Sequence, residues 1–384
     1  MFNVVSRVTI GQRSQGRSKK MVFDFVTEFE CEDGWTDLTN KARIRIPKKV
    51  YVRSESGRLV SIGDARKNIG AGDNALFMRG DTVRIEAGYQ YRNNKGNFIT
   101  EVNRLFEGFI TQVGSKLPIE IEAEDNMWLL KQLPAKNKVY PSTTTVEDIL
   151  REMLAGTPFS VNCLTQTTIG TFRTENETVA QVLERLRKDY RLEAYFRGSE
   201  LRIGSIIYIE REARTESFAF QQNIISDELQ YQRKDDITLS AIAHNTIETD
   251  TGRITRDGRR KTKKQRIEVL VTLKGGKTTV LVKDKGKDFP ANLEGERRTF
   301  FFIGATTPDQ LADLAKAELQ KYYYTGLKGR FETFGLPLVR MGDNVRITDR
   351  EIPDRNGMYK VKQVDYKGGT GGLRQTIHLD YKIQ

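Results

Sequence analysis

Histidine and cysteine are almost missing from this chain: its 384 residues include two of each. His244 and His378 both lie inside alternating apolar–polar runs, so a Ser-His or Cys-His nucleophile pair has almost no candidates. Cys31 and Cys163 stand in apolar contexts without CxxC spacing and read as buried free thiols, not as a disulfide framework. Neither has a histidine nearby, which removes the usual zinc ligand sets. No apolar run is long enough to cross a bilayer. The opening residues lack the basic flank and apolar core of a signal peptide. The expectation is a chain made in the cytoplasm, with no membrane span, no cofactor, no metal and no catalytic residue.

The remaining chemical motifs have plainer readings. The run Gly368–Gly372 lacks the following helix and the Lys-Ser/Thr of a phosphate loop, and reads as a flexible strand connection. The carboxylate pairs Glu122/Glu124 and Asp235/Asp236 read as solvated side chains, because a glycosidase pair has to flank a cleft. Arg79-Gly80-Asp81 spells an adhesion tripeptide, but a later copy reads Met341-Gly342-Asp343. What repeats is the Gly-Asp turn.

Positive charge is abundant, with a formal net charge of +12. Much of it lies in the stretch 253–266, where eight Lys or Arg face one Asp. Strand-like patterns at Ile237–Asn245 and Ile267–Leu273 flank it, so it reads as a long hairpin with its tip at Asp257-Gly258. Phosphate contact is one reading, through Arg259, Arg260, Lys261, Lys263 and Lys264. The stretch holds no aromatic residue for base stacking, so contact with an acidic partner or passing DNA is favoured over specific recognition. The competing function is accordingly a nucleic-acid-binding protein built from small β-barrels. The aromatic triplets Phe300–Phe302 and Tyr322–Tyr324 divide between core packing and interface anchors.

Duplication is the strongest pattern. Gly80-Asp81-Thr82-Val83-Arg84-Ile85 has a near copy in Gly342-Asp343-Asn344-Val345-Arg346-Ile347. Gly108-Phe109-Ile110 with Val113 is echoed by Gly357–Val361 with Val364, and Ile119–Asp125 by Ile377–Asp380. Three matched elements in one order imply a single β-module used twice.

The chain divides accordingly. Residues 1–125 read as strands at Val4–Ile10, Val22–Cys31, Ala42–Ile46, Val83–Tyr89, Leu105–Val113 and Ile119–Ala123, with a long loop at 63–80. Residues 126–215 read as a small α+β unit. Its helices are Val146–Leu154, capped by Thr145, and Glu177–Tyr190, capped by Asn176; the hairpin Leu192–Ile203 follows. Residues 216–384 form the second β-module, decorated by the basic hairpin and a helix from Pro308 to Tyr323 with Leu311, Leu314, Ala315 and Leu319 on its inner face. The fold class is α+β, mainly β.

This order, with Glu177–Leu186 and Tyr190–Ala194 in the middle, Phe218–Phe220, Asn223–Ser226 and Arg233–Asp236 after it, and the closing Gly-Asp-x-Val-x-Ile strand, resembles the baseplate hub proteins of contractile phage tails. These are also called late control D-like proteins, and the hub part of type VI secretion spikes is similar. The resemblance implies two tube-type β-barrels per chain and a homotrimer forming a pseudo-sixfold ring. Such a ring adapts a hexameric tail tube to a trimeric spike, contacts baseplate wedge proteins, and passes DNA or an effector through its channel. It places the protein in a virion tail or injection particle made in the bacterial cytoplasm. The loops around Asp81 and Asp343 and the basic tip are the expected partner contacts.

Overall fold

Alternation of apolar and polar residues makes most of this chain β. The computed structural model describes residues 3–13, 18, 20–47, 49–53, 59–64, 76–114, 118–164, 168–204, 213–254, 260–284, 287–290, 295–302 and 305–383. The first part holds β1 (Asn3–Gly11), β2 (Lys20–Phe23), β3 (Glu28–Gly34), β4 (Lys41–Ile46), β5 (Lys49–Arg53), β6 (Leu59–Asp64), β7 (Thr82–Arg92), β8 (Phe98–Val113) and β9 (Ile119–Glu124). In β4, Ala42, Ile44 and Ile46 are buried while Lys41 and Arg43 face out, as a half-buried strand requires. The expected single strand Val22–Cys31 is two. The chain leaves its pairing with β1 after Phe23 and re-enters the sheet beside β4, turning over the buried Val26. The β5–β6 hairpin occupies the start of the expected loop at 63–80, of which residues 65–75 lie outside the described ones.

The middle holds α1 (Met127–Leu130), β10 (Lys138–Tyr140), α2 (Val146–Met153), β11 (Ser160–Cys163), β12 (Phe172–Thr174), α3 (Val179–Tyr190), β13 (Glu193–Arg197) and β14 (Glu200–Gly204). Thr145 caps α2 by accepting from the Asp148 N–H. The cap of α3 is Thr178, not Asn176, because Gln181 at the third helical position completes a capping box with it. Asn176 instead takes a left-handed turn conformation, with φ 52°. These helices pack on the sheet β11-β14-β13 over a core that includes Val146, Leu150, Val182, Leu186 and Leu201. Cys31 is buried, whereas Cys163 is only half-buried, at the rim of this core.

The last part contains β15 (Thr215–Ala219), β16 (Ile224–Gln232), β17 (Thr238–Ile254), β18 (Arg260–Lys274), β19 (Lys277–Val282), β20 (Glu296–Phe301), α4 (Pro308–Gln320), β21 (Gly326–Phe334), β22 (Asn344–Thr348), β23 (Gly357–Gly369) and β24 (Arg374–Ile383). Strands β19-β18-β17-β20 form a separate four-stranded sheet. α4 covers it over a core of its own that includes Leu239, Val269, Val271, Leu311 and Leu319. Ala312 joins that core, and Leu314 is 43% exposed, so the buried face of α4 sits slightly off the expected stripe. The aromatic triplets pack: Phe301 is buried, Tyr322 meets Tyr381 at 5.8 Å, and the Tyr324 ring meets Tyr359.

β10 and β12 pair in a small sheet of their own, and the remaining strands build one 13-stranded sheet, running β16-β21-β24-β23-β3-β4-β9-β8-β7-β1-β2 with β22 and β15 attached through β23. Within it the same order of neighbours occurs twice, as β3-β4-β9-β8-β7-β1 and as β16-β21-β24-β23-β22-β15. Both copies carry a bulge at the same place, between Ile110 and Gln112 and between Val361 and Gln363. Register corrects the expected alignment. Val83 pairs with Gly108 and Val345 with Tyr359, so Gly108 corresponds to Tyr359 and not to Gly357. The copies differ at one edge, where β1 runs antiparallel to β7 but β15 runs parallel to β22.

The two sets meet where β3 pairs antiparallel with β23, from Gly34 opposite Gln363 to Glu28 opposite Gly369. One hydrophobic core spans them, joining Val8, Ile44, Ile85 and Ile121 to Phe331, Ile347, Tyr359 and Ile377. Tyr89 ties the sets further: its hydroxyl donates to the Leu373 carbonyl and accepts from the Gly335 N–H, each at 3.1 Å.

His244 joins the inserted sheet to the middle unit. It is 7% exposed, and its ring meets Phe301 at 5.3 Å, which in turn meets Tyr190 edge-on at 5.4 Å. Burial, aided by Arg266, pushes its pKa down to about 4 from the ordinary 6.5. The unfolded chain therefore binds the proton more readily, so this stabilisation is complete above about pH 6.5 and is lost as pH falls toward about 4. Between about pH 7 and about pH 5 the loss should be roughly 2 kcal/mol. Urea unfolding at the two pH values should show a smaller difference in His244→Gln than in the parent; equal differences would remove His244 as the source.

Candidate assembly surface

The two Gly-Asp turns are built alike, atom for atom. Gly80 and Gly342 have φ of 91° and 89°, which glycine adopts without strain. The Gly80 N–H donates to the Ile110 carbonyl at 2.8 Å, and Gly342 to Val361 at 3.0 Å. Returning bonds run from Ile110 to Asp81 and from Val361 to Asp343. Asp81 Oδ2 accepts from the Met78 N–H at 2.9 Å and Oδ1 from the Arg13 N–H at 3.2 Å. Asp343 does the same with Arg340 at 2.8 Å and Arg214 at 3.3 Å. These side chains are 1% and 8% exposed. Burial raises the Asp343 carboxyl above its usual range, against the pull of the two N–H groups. Both carboxylates hold turns inside the chain, so the loops around them, and not these two side chains, are the surface a partner would meet.

The basic residues lie on the separate inserted sheet. The ladder of β17 and β18 sets Arg260 opposite Ile254, Lys261 opposite Arg253, Lys263 opposite Thr249 and Lys264 opposite Glu248. Arg259 and the hairpin tip at 255–259 lie outside the described residues. The strands themselves continue into the basic stretch, and these four basic positions all fall on β18, facing a β17 arm that carries Glu248, Asp250 and Arg253.

A third surface was legible only as a solvated sheet face. Along β23-β3-β4-β9-β8 the outward side chains carry opposite charges on neighbouring strands. Lys367 bridges Glu28 at 2.7 Å and Glu30 at 2.9 Å, while Arg45 reaches Glu120 at 3.1 Å. On the second set Arg330 pairs with Glu228 at 2.8 Å, and His378 Nε2 lies 2.7 Å from Asp365. Burial works to raise Asp365, but hydrogen bonds from His378 and Gln363 prevail and hold its carboxyl low. Each exposed pair contributes about 0–1 kcal/mol, so their effect is to order a polar surface more than to stabilise it. The face is an open concavity of about 720 Å³ whose lining includes Glu30, Glu32, Arg43, Glu122, Glu332 and Asp365. Among the described residues no group of His, Cys, Asp or Glu has a metal-binding arrangement. No described helix is long and apolar enough to cross a membrane.

Comparison with known proteins rests on structure. No protein-family model matches the chain, and no curated protein matches it in sequence. Among solved structures it superimposes on the tail protein from Neisseria meningitidis MC58 with a TM-score of 0.55 at 12% identity, covering 100% of this chain and 97% of that one. It also superimposes on the 43 kDa tail protein of prophage MuSo2 from Shewanella oneidensis with a TM-score of 0.53 at 12% identity, covering 98% of each chain. The fold is that of phage tail proteins. A chain of the lidded Francisella PdpA–VgrG complex shares it at a TM-score of 0.50 and 7% identity, with 99% of this chain covering 53% of that one. The tail-protein fold thus accounts for nearly the whole chain, including the middle unit and the inserted sheet.

Proposed function

We propose that the chain is the hub subunit of a phage-type tail or injection machine. Three copies close into a ring of six like strand sets, each set a tube-type barrel module. The ring joins a hexameric tail tube to a trimeric spike, and wedge proteins dock around it. The observation that carries this reading is the strand order present twice in one sheet, because a trimer of doubled sets offers the near-sixfold symmetry that a hexameric tube demands. The tail-protein fold supports it. The polar concavity between β23 and β8 is then the channel wall, where paired charges leave little that would grip passing DNA or a passing effector. The basic arm of β18 serves as a contact for an acidic partner. The role is structural, in a virion tail or an injection particle.

Sedimentation and electron microscopy of the chain, alone and co-expressed with its spike, test the reading. A trimeric ring with a central channel is expected. A monomer in both preparations overturns it.

A further inference from the structure

The chain contains its own template for joining one strand set to the next. At that joint the outer edge of β3, in the first set, takes up the end of β23, in the second. In the duplicated order β16 holds the place of β3, and β8 the place of β23. Yet β16 is the end strand of the sheet, and among the described residues β21 alone pairs with it. Its nine residues are largely exposed, with Ile225 and Tyr231 each at 42%. A long edge strand with an open row of N–H and C=O groups is a template for another strand, and soluble proteins seldom leave one uncovered.

The complementary edge is present as well. β8 pairs with β7 as far as Phe109 opposite Thr82, and Ile110 then closes on the Gly80-Asp81 turn. Beyond it, among the described residues, Gln112 and Val113 pair only with β9. These residues correspond to Gln363 and Val364, where β3 attaches in the second set. Six strands of the same sheet separate β16 from β8, so the two edges of one chain are not neighbours along it. A joint between unlike edges repeats from copy to copy and ends in a ring or a filament.

We propose that the outer edge of β16 takes up the end of β8 from a second copy of this chain, antiparallel, in the register that sets Tyr231 opposite Val113 of the partner subunit. The register is transferred from the internal joint. There Val364 faces Asp33 and Gln363 faces Gly34, and β16 offers Tyr231 and Gln232 in the places of Asp33 and Gly34. An aromatic side chain opposite a β-branched one is a favourable cross-strand pair. The inference rests on the ring reading and specifies its contact.

Cysteine cross-linking of the full chain tests it. Facing residues of antiparallel strands come within disulfide reach. Val113→Cys with Tyr231→Cys, in a Cys163→Ser background, should give covalent dimers and trimers on mild oxidation, while each single variant should not. Asp33→Cys with Val364→Cys should close within the chain without adding mass, which verifies the geometry at the internal joint. A non-covalent trimer that fails to cross-link, while the internal control closes, overturns the strand joint and leaves the ring standing. A monomer throughout, with or without the spike, overturns both. Tyr231→Lys should weaken association roughly tenfold, a charge on an edge strand opposing addition, with the unfolding of the monomer unchanged. Unchanged association would also overturn the joint.

Discussion

Gly369→Ala should lower the unfolding free energy by about 3–5 kcal/mol, combining a strained backbone with an overlap that cannot relax. Gly369 ends β23 where it meets β3, and its φ is 133°, outside the range an L side chain readily adopts. A Cβ there would stand 2.4 Å from the Thr27 carbonyl oxygen and 2.8 Å from the Glu28 Cα. Both are backbone atoms at the start of β3, Thr27 just before it and Glu28 its first residue, so relief would require the joint between the two strand sets to open. Its neighbour Gly368 faces Phe29 across the joint, and the fully buried ring occupies the space a side chain would need. These glycines were expected to form a flexible connection; the structure sets Gly369 against the backbone at Thr27 and Glu28 and Gly368 against the Phe29 ring. Gly371 supplies the control, because a Cβ there meets nothing within 4 Å. Gly371→Ala should fall within about 0.5 kcal/mol of the parent. Urea unfolding of the two variants decides the matter, and equal midpoints would show that the joint tolerates a side chain.

Asp81→Ala and Asp343→Ala should each cost about 2–4 kcal/mol, since either leaves two backbone N–H groups without their carboxylate partner in a buried turn. The equality matters as much as the size. Two turns with matched bonds and matched glycine conformations should lose similar amounts, within about 1 kcal/mol of each other. Asn at either position keeps one acceptor oxygen and should fall between alanine and the parent. Thermal unfolding of the four variants measures this. A neutral alanine at one turn would show that the duplication there is one of shape alone.

Much of the architecture was legible along the chain. The strand alternation in Ala42–Ile46 and Ile119–Ala123, the Thr145 cap and the repeated Gly-Asp strand are local signals, and the structure shows each where it was expected. Asn176 was mistaken for a cap because residue type alone does not show which of two neighbours has extended backbone. Gly108 was aligned two residues out because glycine is small enough to be tolerated for unrelated reasons in each copy. That Asp81 and Asp343 are buried was hidden for a related reason. A carboxylate beside a turn looks solvent-facing until the N–H groups of residues distant in sequence, Arg13 and Arg214, are seen to point at it.

The sequence by itself determined that one β-unit occurs twice, around an α+β middle and with a basic insertion, because turn chemistry and side-chain period are local properties of the chain. Only the tertiary structure decided how the copies join. Strand pairing depends on which edges come together and in what register, and backbone groups supply most of that contact without leaving a mark on residue type. The β3–β23 joint, the shared core beneath it and the open edge of β16 are all of this kind.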